Sequence, residues 1–217
     1  MRKRLPGQWF IYLYLPLLLA ALLLLLICSK SELHMKMNTI HAGFTDQLMK
    51  AWTLLGDGRV LAGVTVALLF VSFRHFFIAF SAYAFSGLGS QLLKRLFFSD
   101  APRPVEYFEM HHPDQSLRLV EGVKIYHWMS FPSGHTAAVF ALFFAMALMT
   151  RNRVLQVLFF CISLGVGVSR IYLSQHFLVD VVGGSVLGMI SGFFAWWWFR
   201  RYPNEWMDKS LYQWMRR

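Results

Sequence analysis

Residues 9–27 read WFIYLYLPLLLAALLLLLI, an apolar run long enough to cross the roughly 30 Å hydrocarbon core of a bilayer as one helix. Arg2, Lys3 and Arg4 precede it, as basic residues precede a secretory signal. Signal cores, however, span roughly 7 to 15 residues and end in a small-x-small cleavage pattern, which is missing here. Residues 25–28, Leu-Leu-Ile-Cys, carry Ile27 where a lipoprotein signal needs a small residue. The run is expected to be a retained transmembrane helix, and the remainder of the chain is read with the bilayer as its solvent.

The whole composition agrees. Of 217 residues, 57% are apolar and 15% charged, against about 25% charged in a typical soluble domain, and the mean hydropathy is +0.46. Counting the first as 9–28, five further apolar segments lie near 57–73, 76–93, 134–150, 154–173 and 175–199. They predict an all-α fold, a six-transmembrane helical bundle in one domain over 1–217. Residues 1–56 form its first span and outer loop, and 200–217 a cytoplasmic tail. The second span is the shortest, since its mainly apolar part runs only from Val60 to Phe73 and must borrow interfacial residues. Arg74-His75 then reads as a tight turn.

The formal charge of +10 does not form one stripe on a polar domain, so no nucleic acid is expected as a partner. The basic residues cluster between apolar runs. Arg2, Lys3 and Arg4, Arg74, Arg151 and Arg153, and Arg200 and Arg201 all fall on one side of a six-span topology, which places both termini in the cytoplasm. Cys28 and Cys161 sit in or beside apolar runs and suggest no disulfide framework. Gly184, Gly188 and Gly192, spaced by four, put small residues on one helix face and predict close packing inside the bundle in preference to a dimer interface. Trp196, Trp197, Trp198 and Phe199 read as an interfacial belt.

Three polar blocks fall at the outer ends of apolar helices, where polar residues are costly unless paired or functional. They are Lys94-Arg95 followed by Pro102-Arg103-Pro104; Pro132-Ser133-Gly134-His135; and Ser169-Arg170 followed by His176 and Asp180. His176 and Asp180, four apart, share a helix face, where the carboxylate can fix the imidazole tautomer and free the other nitrogen for attack. Ser174 is expected to cap this helix and place His176 in its first turn. Ser133 is likewise expected to cap the fourth span, turning the Gly134 and His135 amides outward as a phosphate cradle. His135 can protonate a leaving alkoxide and later activate water. Arg103 and Arg170 are fork donors to phosphoryl oxygens.

Together these blocks resemble the type 2 phosphatidic acid phosphatase superfamily, which includes bacterial lipid phosphatases and is similar in its core to vanadium haloperoxidases. The resemblance covers about 57–199. It implies that His176 becomes the phosphohistidine, that Asp180 orients it and that His135 is the general acid. It also implies that Arg103, Ser133, Gly134 and Arg170 bind the phosphoryl group, with no metal and no cofactor. One departure concerns the lysine of the first block. The family usually leaves six residues before Arg-Pro, a position held here by Leu96, whereas eight separate Lys94 from Arg103. Lys94 is the choice for the phosphate-binding lysine, with Arg95 as the alternative.

In the connecting loop, His111, His112 and Asp114 lack a second spaced pair and are read as no metal site. His127, Trp128 and Phe131 are expected to shape a lipid entrance. The resulting expectation is a hydrolase of the bacterial inner membrane, its site facing the periplasm or exterior. It would remove phosphate from a membrane lipid phosphate or pyrophosphate, such as undecaprenyl pyrophosphate, phosphatidylglycerol phosphate, phosphatidate or lipid A. The expected partners are thus a phospholipid or isoprenoid-lipid phosphate and the membrane lipids, with no obligate protein partner. The alternatives are a lipid phosphotransferase using the same site and a non-catalytic lipid-binding membrane protein.

Overall fold

Most helices follow the apolar runs of the sequence, and a computed structural model describes them over residues 5–40 and 42–216. Arg2, Lys3 and Arg4 lie outside the described residues. In order the helices are α1 (Gln8–Ile27), α2 (Lys30–Asn38), α3 (Gly43–Leu55), α4 (Gly58–Ala67), α5 (Phe73–Phe97) and α6 (Pro104–His111). There follow α7 (Gly134–Met149), α8 (Arg153–Tyr172), α9 (Leu178–Phe199) and α10 (Leu211–Met215). Short 3-10 turns occupy Leu68–Phe70 and Glu205–Asp208.

The fold is an all-α membrane bundle, and the number of spans is where it departs from the simple pattern. Helices α1, α5, α8 and α9 are each long and apolar enough to cross a membrane, while α7 is apolar but has only 16 residues. The expected second span is one arm of a pair, Gly43–Leu55 and Gly58–Phe70, bent by 52°. The break has a local cause. The Asp57 carboxylate accepts the Arg59 amide at 2.9 Å and starts α4 afresh, as an N-cap does. Residues 29–56, expected as an outer loop, therefore contain α2 and α3.

Helix α7 is the centre of the bundle, buried over most of its length between α5, α8 and α9. The α9 glycines explain how a backbone can come so close. A Cβ on Gly184 would stand 2.5 Å from the Ser133 carbonyl oxygen, and one on Gly188 2.5 Å from that of Ala137. One on Gly192 would stand 2.7 Å from that of Ala141. The stripe thus packs inside the chain, against α7. Because hydrocarbon tails are as apolar as leucine, such close van der Waals contact is what drives helices together in a bilayer. Phe10 and Tyr14 anchor α1 among Phe140, Phe144 and Phe160.

At the far end, Arg74 and His75 do not form the turn expected of them. The chain reverses at Val71 and Ser72, where Ser72 caps α5 by accepting the His75 amide at 3.2 Å. Arg74, in the first turn of α5, donates to the carbonyls of Phe199 and Tyr202 and to the Asp208 carboxylate. The segment after α9 is therefore folded back against α5.

Candidate active site

Helix α8 ends in a Schellman turn that aims His176. The amide of Gln175 donates to the Arg170 carbonyl at 3.0 Å and that of Ser174 to the Ile171 carbonyl at 3.0 Å, the paired bonds of that motif. The residue that must be left-handed is Ser174, at φ 51. Ser174 is thus not the N-cap expected of it. Phe177 holds that position for α9, so His176 sits just outside the helix, its amide donating to the same Arg170 carbonyl at 3.1 Å. The Ser174 hydroxyl faces Nε2 of buried His34 at 3.1 Å.

Nδ1 of His176 lies 3.4 Å from Oδ2 of Asp180, both side chains almost fully buried. The same oxygen accepts the Phe177 amide at 2.9 Å and the Ser130 hydroxyl at 2.5 Å. Burial pushes the His176 imidazole down to about 3, against the opposing pull of Asp180. The ring is held neutral, the form that can attack an electrophile.

The first and second blocks meet through the loop before α7. Arg103 donates its amide to the His127 carbonyl at 2.7 Å and its Nε to that of Trp128 at 2.9 Å, and Lys94 Nζ reaches that of Met129 at 2.5 Å. Three successive carbonyls thus tie both cations to one strand of loop. Lys94 is buried whereas the side chain of Arg95 is exposed, so of the two alternatives it is Lys94 that turns inward across the eight-residue spacing. Arg103 caps α6 with Pro104 in its first turn, the position where a missing amide costs nothing.

Ser133 does start α7, but its side chain caps no amide. Its Oγ instead accepts from Thr136 at 2.9 Å, and its own amide donates to the Asp180 carbonyl at 2.9 Å. That bond ties the start of α7 to the first turn of α9. His135 lies within electrostatic reach of Arg170, Arg103 and Lys94, and Lys94 within reach of Asp180. The structure therefore brings Lys94, Arg103, Ser133, Gly134, His135, Arg170, His176 and Asp180 to one end of the bundle. An array of cations and helix-start amides around a neutral histidine is suited to an anionic electrophile such as a phosphoryl group.

Two features of this end are not marked by any motif. Gln175 links the two arginines, its carbonyl accepting from Arg103 at 3.2 Å and its Oε1 from Arg170 at 3.4 Å. Thr53, on α3, accepts from Arg170 at 2.7 Å. Only the position of Gln175 beside His176 was available as a signal. Elsewhere, His111 stacks on Tyr107, and Phe131 is wedged against Gly183 and Phe98. His127 pairs with Glu106 at 2.8 Å, and Trp128 is partly exposed. Of the expected entrance residues, Phe131 is thus committed to packing.

A model of the PAP2 superfamily matches residues 75–203. The chain belongs to the PAP2 superfamily. The chain is 35% identical over 68 residues to the bacitracin transport permease protein BcrC of Bacillus licheniformis, covering 31% of this chain and 32% of that protein. The chain thus spans about a third of the length of that curated relative. Among solved structures it is similar to Aquifex aeolicus LpxE, with a TM-score of 0.64 and 26% identity over 79% of this chain and 94% of that one. It shares its fold with a transmembrane PAP2-type phosphatidylglycerolphosphate phosphatase of Bacillus subtilis, with a TM-score of 0.63 and 19% identity over 90% and 98% of the two chains.

Proposed function

We propose that this PAP2 protein hydrolyses the phosphate or pyrophosphate of a membrane lipid through a phosphohistidine at His176. The observation that carries the reading is the neutral, buried His176 standing 3.4 Å from the Asp180 carboxylate, beside Arg103 and Arg170. With Nδ1–H turned toward Asp180, Nε2 keeps its lone pair for in-line attack on phosphorus. As the N–P bond forms, the bond from phosphorus to the leaving oxygen, that of the lipid or of its remaining phosphate, breaks, and His135 donates a proton to that oxygen. Lys94, Arg103, Arg170 and the amides of Gly134 and His135 neutralise the charge on the equatorial oxygens. Water then attacks the phosphohistidine, His135 takes its proton, and inorganic phosphate leaves as the N–P bond breaks.

The same layout supports an outward-facing site. The site occupies the end of the bundle opposite Arg74, Arg151, Arg153, Arg200 and Arg201, so positive-inside sorting puts these arginines in the cytoplasm and the site at the outer interface. Purified protein assayed against phosphatidate, phosphatidylglycerol phosphate, undecaprenyl pyrophosphate and lipid A is expected to release phosphate from at least one. Release from none, by protein whose fold is verified, contradicts the reading.

A further inference from the structure

Arg170 is steered from a part of the chain that lies outside the segment matched by the family model. Its guanidinium donates through Nη1 to Thr53 Oγ1 at 2.7 Å and through Nη2 to Gln175 Oε1 at 3.4 Å, while Nε is buried without a hydrogen-bond partner among the described residues. The Thr53 bond is the shorter of the two. A hydroxyl accepting from a cation forms a charge-assisted bond, and here it selects one orientation of a planar donor fork.

The position of Thr53 is itself over-determined. About two turns toward the start of α3, Asp46 accepts the Tyr172 hydroxyl at 2.6 Å. The adjacent Trp52 lies flat over Gly165, where a Cβ would stand 2.6 Å from the indole. Beyond the end of the helix, Gly56 packs so closely that a Cβ would stand 2.6 Å from Val166 and 3.5 Å from the His135 ring. Helix α3 is thus registered against α8 on both sides of Arg170, and the bend after it rests on His135.

We propose that Thr53 is a positioning residue for Arg170, through which α3 completes the phosphoryl-binding site. The proposal rests on the phosphoryl-transfer reading above. The role of Thr53 is to hold the guanidinium where it meets phosphoryl oxygens; Thr53 itself touches no reacting atom.

The test compares wild-type protein, Thr53→Val and Thr53→Ser, each full length in detergent. Two measurements are made: orthovanadate affinity from its stabilisation of the folded protein, and turnover of dioctanoyl phosphatidate. Thr53→Val is expected to weaken vanadate binding and lower kcat/KM by about tenfold each, the scale of one hydrogen bond to a charged group. Thr53→Ser, which keeps the acceptor, is expected to stay within about twofold on both. A purely structural role would lower thermal stability without changing vanadate affinity, and that outcome, or a failure of Ser to rescue, overturns the proposal. Vanadate binding that is lost only in Thr53→Val, with no lipid turnover by any form, would uphold the positioning role and overturn the phosphatase reading alone.

Discussion

Oδ2 of Asp180 is shared by three groups: the Phe177 amide at 2.9 Å, the Ser130 hydroxyl at 2.5 Å and, at 3.4 Å, Nδ1 of His176. The first bond closes the N-terminus of α9, and the second ties in the loop before α7. The third is a contact without hydrogen-bond geometry, which we propose orients the imidazole. Neutralising this carboxylate keeps its shape but loses its preference for the Nδ1–H tautomer. Asp180→Asn is therefore expected to lower kcat by about 10³-fold or more, the scale at which an orienting carboxylate matters to a histidine. Ser130→Ala, which removes one supporting bond, is expected to cost about tenfold. Steady-state kinetics on a soluble-chain lipid phosphate checks both, and an Asn variant within tenfold of wild type would refute the orienting role.

Ser174 makes the left-handed turn that sets His176 outside α9. A β-branched side chain resists that conformation strongly, and glycine adopts it freely. Ser174→Gly is expected to keep most activity, with a modest loss from the missing contact to His34. Ser174→Val is expected to destabilise the protein by about 1–3 kcal/mol and to lower kcat more than it raises KM. Equal behaviour of the two variants in thermal melts and kinetics would contradict this account of the turn.

The α7–α9 contact makes a separate, purely structural prediction. A Cβ on Gly188 would stand 2.5 Å from the Ala137 carbonyl oxygen and 2.7 Å from Cβ of Phe140, so the two backbones must part. Gly188→Ala is expected to destabilise the detergent-solubilised protein by about 1–3 kcal/mol. Gly87, whose Cβ would meet nothing within 4 Å, serves as the control: Gly87→Ala should be neutral or slightly stabilising. Unfolding in a graded denaturing detergent compares the two.

What the sequence makes legible is what is periodic or local. The nearness of His176 to Asp180 is legible from their spacing, although the shared helix face expected for them does not form, because His176 precedes the N-cap of α9; the glycine stripe reads as a packing face because three residues fall on one side of a helix. The long apolar runs announce α1, α8 and α9. Thr53 is different: nothing in its neighbourhood marks it, because its partner Arg170 is distant in the chain and brought near only by the packing of α3 on α8. Ser174 misleads for a physical reason. Serine is a good N-cap, but here it closes the preceding helix, and local preference cannot decide between the end of one helix and the start of the next. The broken span fails in the same way, since a run such as Val60 to Phe73 does not reveal that α3 leans against the bundle before it.

The buried imidazole also gives the fold a pH dependence. His176 is pushed down to about 3 in the folded protein, against about 6.5 in an unfolded chain. Between those values the unfolded state binds the extra proton, so stability rises with pH across this window. The contribution is fully present above about pH 6.5 and is lost progressively as pH falls toward 3. His176→Leu removes the group, and its melting temperature is expected to fall less between pH 7 and pH 4 than that of wild type. An equal fall in the two proteins would show that His176 titrates normally.

In the proposed reaction, phosphate passes through His176. Rapid mixing of the purified protein with dioctanoyl phosphatidate, alkaline quench and peptide mass spectrometry should find one phosphoryl group on the peptide containing His176, absent from His176→Ala together with turnover. Continued turnover by His176→Ala, or a phosphoryl group trapped on any other residue of a fully active enzyme, would contradict it.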